Sequence, residues 1–122
     1  MSRPKSIAIV DDDISVRNAT ENLVRSYGLG VRTFASAESY LAETKDSTVD
    51  CLIADVQMDG IDGVELFQIL REIGIKTPII FITAFPDERI RKRVMAAGAI
   101  GFLGKPFESQ ALIDCIELAL AA

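Results

Sequence analysis

The 122-residue chain contains no histidine. That absence excludes Ser-His-Asp hydrolysis, histidine-ligated zinc and an imidazole general base, so carboxylates, hydroxyls and amines must carry any chemistry. Cysteine is scarce: Cys51 and Cys115 both fall in apolar patterns, which reads as buried thiols in a reducing compartment rather than a disulfide. No apolar run approaches the roughly 20 residues that cross a bilayer. Met1 is followed by polar residues, with no signal-peptide core, so a soluble cytoplasmic protein without a membrane partner is expected. Positive charge is also short. With 13 Lys and Arg against 18 Asp and Glu, the net charge is −5; gripping a nucleic-acid backbone needs clustered positive charge, so this domain is not expected to bind nucleic acid directly.

The chain has the size of one ordinary domain, and residues 1–122 are read as a single unit able to bury a full core. Its end at Ala122 fits either a stand-alone domain or a trimmed piece of a longer protein. Strand-like runs alternate with helical patterns five times, the signature of a doubly wound α/β fold with a parallel sheet. Ile7–Val10 is the first run; Asp13 caps a helix in which Val16, Ala19, Leu23 and Tyr27 recur until Gly28. Val31–Phe34 follows, then a short helix capped by Ser36 and carrying Tyr40 and Leu41, which dissolves into a polar loop from Glu43 to Thr48 that is expected to be mobile. Cys51–Ala54 is the third run, ended by Asp55. Asp62 and Glu65 form a capping-box pattern ahead of a helix over Val64–Ile73, closed by Gly74. Ile79–Ile82 precedes Thr83, and Pro86-Asp87 opens a helix with Ile90, Val94 and Ala97 inward. Ile100–Leu103 is the last run, before a helix capped by Ser109 with Leu112, Ile113, Ile116 and Leu120 inward.

The central run matters most, because it delivers one carboxylate, Asp55, to its C-terminal rim. In open parallel sheets, ligands collect outside the carboxyl ends of the strands, where strand order reverses. Right-handed crossovers with helices on both faces favour the order 2-1-3-4-5, whose switch point falls between strands one and three. Those strands end in Asp11-Asp12 and Asp55; the fourth ends in Thr83 and the fifth leads to Lys105.

Crowded carboxylates without a histidine or thiolate nearby suit a hard divalent cation held by oxygen. Mg²⁺ is the leading candidate, with Mn²⁺ as its substitute. Mg²⁺ completes its octahedron readily with phosphate oxygens, which points to phosphoryl chemistry: Asp55 as nucleophile, Lys105 as the cation on the phosphoryl oxygens, and Thr83 as a hydroxyl donor.

The set Ile9-Val10-Asp11-Asp12, Asp55 at a strand end, Thr83-Ala84 and Gly104-Lys105-Pro106-Phe107 resembles the receiver domain of two-component response regulators over essentially the whole chain. Phe34-Ala35-Ser36-Ala37-Glu38 and the run Gly101 to Phe107 are similar to FixJ-type regulators. The resemblance implies a (βα)5 flavodoxin-like fold and an Asp55 that accepts a phosphoryl group from a sensor histidine kinase or phosphotransfer protein, in a self-catalysed switch that is not an enzyme. It implies Mg²⁺ held by Asp12, Asp55 and the backbone carbonyl of Gln57, with Asp11 acting through water. It also implies a cis Lys105-Pro106 bond and a switch in which Thr83 moves to the phosphate and Phe102 turns inward, reshaping the face made by the fourth helix, fifth strand and fifth helix to control an output domain, as in transcription regulation. Asp59 stands where the family usually has proline, which predicts a less rigid loop carrying an extra acid.

Each residue also has a plainer reading. Asp11 to Asp13 would serve as helix caps, Asp55 as a turn acid, Lys105 as a solvated charge and Phe102 as core. A Mg²⁺-dependent phosphatase would place a second acid two residues after the nucleophile, where Gln57 stands; a degenerate receiver would lack part of the Asp12, Asp55, Thr83, Lys105 set. Arg89, Arg91, Lys92 and Arg93 are ordinarily a solvated helix face, yet on an acidic protein they form a candidate contact for acidic residues of a second copy, in a phosphorylation-dependent homodimer.

Overall fold

All five apolar runs are strands, and all pair in parallel. The computed structural model describes residues 5–43 and 49–121, where strands and helices alternate. They are β1 (Ser6–Val10), α1 (Ile14–Ser26), β2 (Gly30–Phe34), α2 (Ala37–Glu43), β3 (Cys51–Asp55), α3 (Gly63–Glu72), β4 (Ile79–Thr83), α4 (Glu88–Ala96), β5 (Gly101–Gly104) and α5 (Ser109–Ala121). The sheet order is β2-β1-β3-β4-β5, as expected. The polar loop expected to be mobile lies, beyond Glu43, outside the described residues. Among the described residues, no helix is long and apolar enough to cross a membrane.

The sheet is buried on both faces, which is why its strands are near-continuous apolar runs rather than alternating ones. Successive side chains point to opposite sides. Ala8, Leu52, Ala54, Ile79 and Phe81 pack with Tyr40 of α2, Leu66, Phe67 and Leu70 of α3 and Val94 of α4. Ile7, Ile9, Ile53, Ile80 and Ile82 pack with Val24 of α1 and Leu112, Ile113 and Ile116 of α5. Each large side chain so buried contributes about 1.5–3 kcal/mol. Every residue of β3 and β4 is buried, up to and including Asp55 and Thr83.

Local signals placed most helix ends. The Asp13 side chain accepts from the Ser15 and Val16 N–H groups, Ser36 Oγ accepts from the Ser39 N–H, and Asp62 and Glu65 form the reciprocal capping box. Gly28 and Gly74 take positive φ after α1 and α3. Ser109 is instead the first residue of α5, and the Glu108 carbonyl accepts from the Ala111 and Leu112 N–H groups.

Three inward faces differ from expectation. In α1 the fully packed residues are Thr20 and Val24, whereas Ala19 is exposed and Tyr27 is half-exposed beyond the helix end. Thr20 can occupy the centre of the buried stripe because its hydroxyl donates to the Val16 carbonyl at 2.7 Å, so no polar atom is left unpaired. After α4 the exposed residue is Ala97, and Ala99 is buried, because Gly98 at φ 107° turns the chain back. In α5 Ala119 is buried and Leu120 only partly so.

Tyr40 packs edge-on against Phe34 with ring centroids 5.2 Å apart. Its hydroxyl is buried without a hydrogen-bond partner among the described residues, and burial pushes its pKa up to about 12. A desolvated, unpaired hydroxyl is a net cost. Tyr40→Phe is therefore expected to stabilise the domain by up to about 1 kcal/mol in urea denaturation; a loss of stability would show that the hydroxyl has a partner.

Candidate functional site

The strand register brings the predicted residues to one rim. Val10 lies level with Ala54, Asp55 with Ile82, and Thr83 with Gly104, so Asp11, Asp55, Thr83 and Lys105 all leave the sheet at the same edge.

Asp11 is fully buried. Its N–H donates to the Phe34 carbonyl at 3.1 Å, and its Oδ1 accepts from the Asp13 N–H at 2.9 Å. Its own carbonyl accepts from Arg17 Nη1 at 2.8 Å. The capping reading thus holds for Asp13, not for Asp11. Asp12, next in the chain, is exposed.

Asp55 ends β3 with its side chain almost entirely buried. Oδ1 accepts from the Gln57 N–H at 3.2 Å and Oδ2 from Lys105 Nζ at 3.1 Å. The same ammonium lies 3.0 Å from Asp11 Oδ2, so Lys105 bridges the two acids rather than being solvated. Burial, and then the Asp11 charge, raise the Asp55 carboxyl from 3.8 to about 6 against the opposing pull of Lys105 and the Gln57 N–H. Crowding was the expected cause; burial is the larger one. Burial also works against the Lys105 charge, but Asp11 and Asp55 outweigh it and hold the ammonium above its ordinary value.

One oxygen each of Asp11, Asp12 and Asp55 lies within 4.8 Å of the others. Asp11 Oδ2 is buried, and although the Lys105 ammonium is close, no hydrogen bond of good geometry reaches it among the described residues. An all-oxygen, carboxylate-rich donor set with one such oxygen fits a hard divalent cation. Asp59 is not part of that cluster; it lines a cavity of about 630 Å³ beside it, with Asp12, Met58, Asp62 and Arg93.

Thr83 is fully buried at the end of β4. Its hydroxyl donates to Gln57 Oε1 at 2.5 Å and accepts from the Phe85 N–H at 3.0 Å. The Lys105 N–H donates to the Thr83 carbonyl at 2.7 Å, and the Lys105-Pro106 peptide is cis. Phe102 in β5 is half-buried against the core covered by α2, α3 and α4.

Residues 7–117 match the response regulator receiver domain. The chain belongs to that family. The receiver is 40% identical over 116 residues to the transcriptional regulatory protein TdiR of Thauera aromatica, a match covering 95% of this chain and 51% of that protein. It is 33% identical over 120 residues to the transcriptional regulatory protein FixJ of Bradyrhizobium diazoefficiens, covering 98% and 58%. Among solved structures, the response regulator StyR superposes with a TM-score of 0.90 at 44% identity, covering 98% of this chain and 60% of that one. FixJ-N gives 0.88 at 34%, covering 98% and 96%. The receiver spans about half the length of the curated relatives it matches. It is FixJ-like, has the flavodoxin-like receiver fold, and serves as a signalling switch of two-component systems.

Two contributors to the site carry little signal in the sequence. A Cβ on Gly63, at the start of α3, would lie 2.3 Å from the Asp55 carbonyl oxygen; the turn-rich context was the only signal. Glu38 of α2 accepts from the Ile61 N–H at 3.3 Å and borders Gly60, which has φ 75°. The loop after Asp55, expected to be less rigid without proline, therefore has an anchor from another helix.

Proposed function

We propose that Asp55 is the phosphoacceptor of this receiver. An Asp55 carboxylate oxygen attacks the phosphorus of a phosphohistidine on a sensor kinase or phosphotransfer protein. The P–N bond breaks, its electron pair returns to the imidazole, which takes up a proton, and an acyl phosphate forms on Asp55. The observation that supports this reading is the convergence of a buried carboxylate, a bridging ammonium and a buried hydroxyl on neighbouring strand ends. Asp12, Asp55 and the Gln57 carbonyl would hold Mg²⁺, or Mn²⁺ in its place, with Asp11 acting through water; the ion supplies positive charge to the phosphoryl oxygens. Lys105 pairs with the new phosphoryl group, and Thr83 moves to it. Phe102 then turns inward and alters the α4, β5 and α5 face. Loss of the phosphoryl group by hydrolysis at the same site resets the switch.

We read residues 1–122 as one cytoplasmic receiver domain, with no direct nucleic-acid contact of its own and an output function in transcription, as the relatives' names suggest. A phosphorylation-dependent homodimer through α4 would have to rest chiefly on Arg93. Arg89 pairs with Asp87, Arg91 with Glu88, and Lys92 lies in the field of Glu88, whereas Arg93 has no ion pair among the described residues.

Incubation with acetyl phosphate and MgCl₂ is expected to add one phosphoryl group to the intact protein, and excess EDTA to prevent it; labelling unaffected by EDTA would overturn the metal assignment. Lys105→Ala should still be labelled, because Lys105 does not attack phosphorus, but the Phe102 resonances should respond less to phosphorylation. Without the ammonium the Asp55 carboxyl rises further, so the labelling rate of this variant should fall off at a higher pH than in wild type. An unaltered Phe102 response would sink the role.

Mg²⁺ at ten times its dissociation constant stabilises the native state by about 1.4 kcal/mol, roughly 3 to 6 °C for a domain of this size. Asp12→Asn should lose most of that gain. Because Asp12 is exposed and the pressure on Asp55 comes from burial and Asp11, its metal-free melting point should stay near wild type. A full Mg²⁺ response in Asp12→Asn melts would exclude Asp12 as a ligand.

A further inference from the structure

A threonine hydroxyl carries one proton and so can satisfy only one acceptor at a time. In the receiver that proton is committed: Thr83 Oγ1 donates to Gln57 Oε1, and its lone pair takes the Phe85 N–H. Thr83 is fully buried, so solvent offers it no ready substitute. A phosphoryl group on Asp55 presents only acceptor oxygens, and Thr83 can bind it only with the same proton. Gln57 also donates its backbone N–H to Asp55 Oδ1, so one residue touches both acceptor and switch.

Building on the phosphoacceptor reading, we propose that the Gln57 side chain is a latch on Thr83, competing with the phosphoryl group for the threonine proton and setting how strongly phosphorylation must pull to throw the switch. Gln57 is thereby a positioning residue that acts through Thr83. Two consequences follow. Removing the amide acceptor leaves the phosphoryl oxygens as the best partner for the hydroxyl, so the activated state becomes easier to reach. The bond from Phe85 N–H to Thr83 links the latch to the segment leading into α4, where Phe85 is 73% exposed.

The test uses wild type, Gln57→Leu, Thr83→Val and the double variant, with Gln57→Met as a second apolar replacement should Gln57→Leu fold poorly. Position 57 is exposed, which favours tolerance. Beryllofluoride with MgCl₂, a mimic of the aspartyl phosphate, is titrated and followed by the NMR signals of Phe102. A hydrogen bond of ordinary net strength predicts binding about two- to tenfold tighter in Gln57→Leu. In the Thr83→Val background the same replacement should change affinity by less than about 1.5-fold, because the residue through which it acts is gone. Equal or weaker binding in Gln57→Leu would overturn the proposal, as would an undiminished gain in the Thr83→Val background, which a purely structural role would give.

A metal-free, mimic-free arm separates the latch from the phosphoacceptor reading. There, the Thr83 methyl and Phe85 amide resonances should move on Gln57→Leu, and unmoved resonances would overturn the latch whatever the phosphoryl chemistry. If wild type neither binds beryllofluoride nor accepts phosphate from acetyl phosphate, the phosphoacceptor reading fails and the competition with it, while the metal-free resonances still decide the hydrogen bond itself.

Discussion

Asp55→Asn is expected to abolish labelling by acetyl phosphate and, in EDTA at pH 7.5, to melt above wild type. The first effect is chemical: a neutral amide is a poor nucleophile toward phosphorus, while its shape is nearly that of the carboxylate. The second follows from the cost of the charge. Burial and Asp11 raise the Asp55 carboxyl from 3.8 to about 6 in the folded protein. At about 1.36 kcal/mol per pH unit the penalty is about 1–3 kcal/mol, or roughly 3–10 °C. A folded pKa above the unfolded one means the native state binds more protons. The penalty is therefore complete above about pH 6 and fades as pH falls from there through 3.8. The melting advantage of Asp55→Asn should shrink across that window and vanish below it. Persistent labelling would place the acceptor elsewhere, with Asp59 the nearest alternative along the loop. An advantage that stays constant between pH 7 and pH 4 would show that the Asp55 charge is not its source.

Gly63→Ala is expected to destabilise the receiver by about 3 kcal/mol or more, roughly 10 °C or more in melting temperature. Helix propensity argues the other way, since alanine is better than glycine within a helix by up to about 1 kcal/mol. Sterics decide. An added Cβ would meet backbone alone: the Asp55 carbonyl oxygen at 2.3 Å, its carbon at 3.0 Å and Val56 Cα at 3.1 Å. None of these can yield without moving the end of β3, and the Gly63 N–H is bonded to the Val56 carbonyl at 3.0 Å. The substitution thus presses on the strand end that carries Asp55. Gly28→Ala is the matched control, because at φ +78° a side chain there has open space around it and pays only the left-handed backbone cost of about 1–2 kcal/mol. Thermal melts of the two variants settle the matter: equal losses, or a stabilised Gly63→Ala, would mean that α3 does not approach the end of β3 as described.

Sequence signals sufficed wherever a structural decision is local. Apolar runs ending in Asp11-Asp12, Asp55 and Thr83 marked strands and their rim, and Asp13, Ser36 and the Asp62-Glu65 pair marked helix starts through bonds spanning three residues or fewer. Helix faces were less legible. Apolar spacing alone puts Ala19 and Tyr27 inward and passes over Thr20, whose hydroxyl bonds its own helix. The inward stripe follows from where α1 sits on the sheet, which no property of Thr20 announces.

Strand alternation, handedness of crossovers and the short caps together determined the order 2-1-3-4-5 and the presence of three acids, a hydroxyl and an amine at one edge, because each depends on neighbours along the chain or on general rules of parallel sheets. Only the tertiary structure decided their division of labour. Lys105 reaches Asp55 across 50 residues, Thr83 reaches Gln57 across 26 and Glu38 reaches Ile61 across 23. Partners so far apart are selected by distances of a few ångströms between packed elements. Hydrogen bonds and desolvation respond to those distances, whereas the pattern of polar and apolar residues does not encode them.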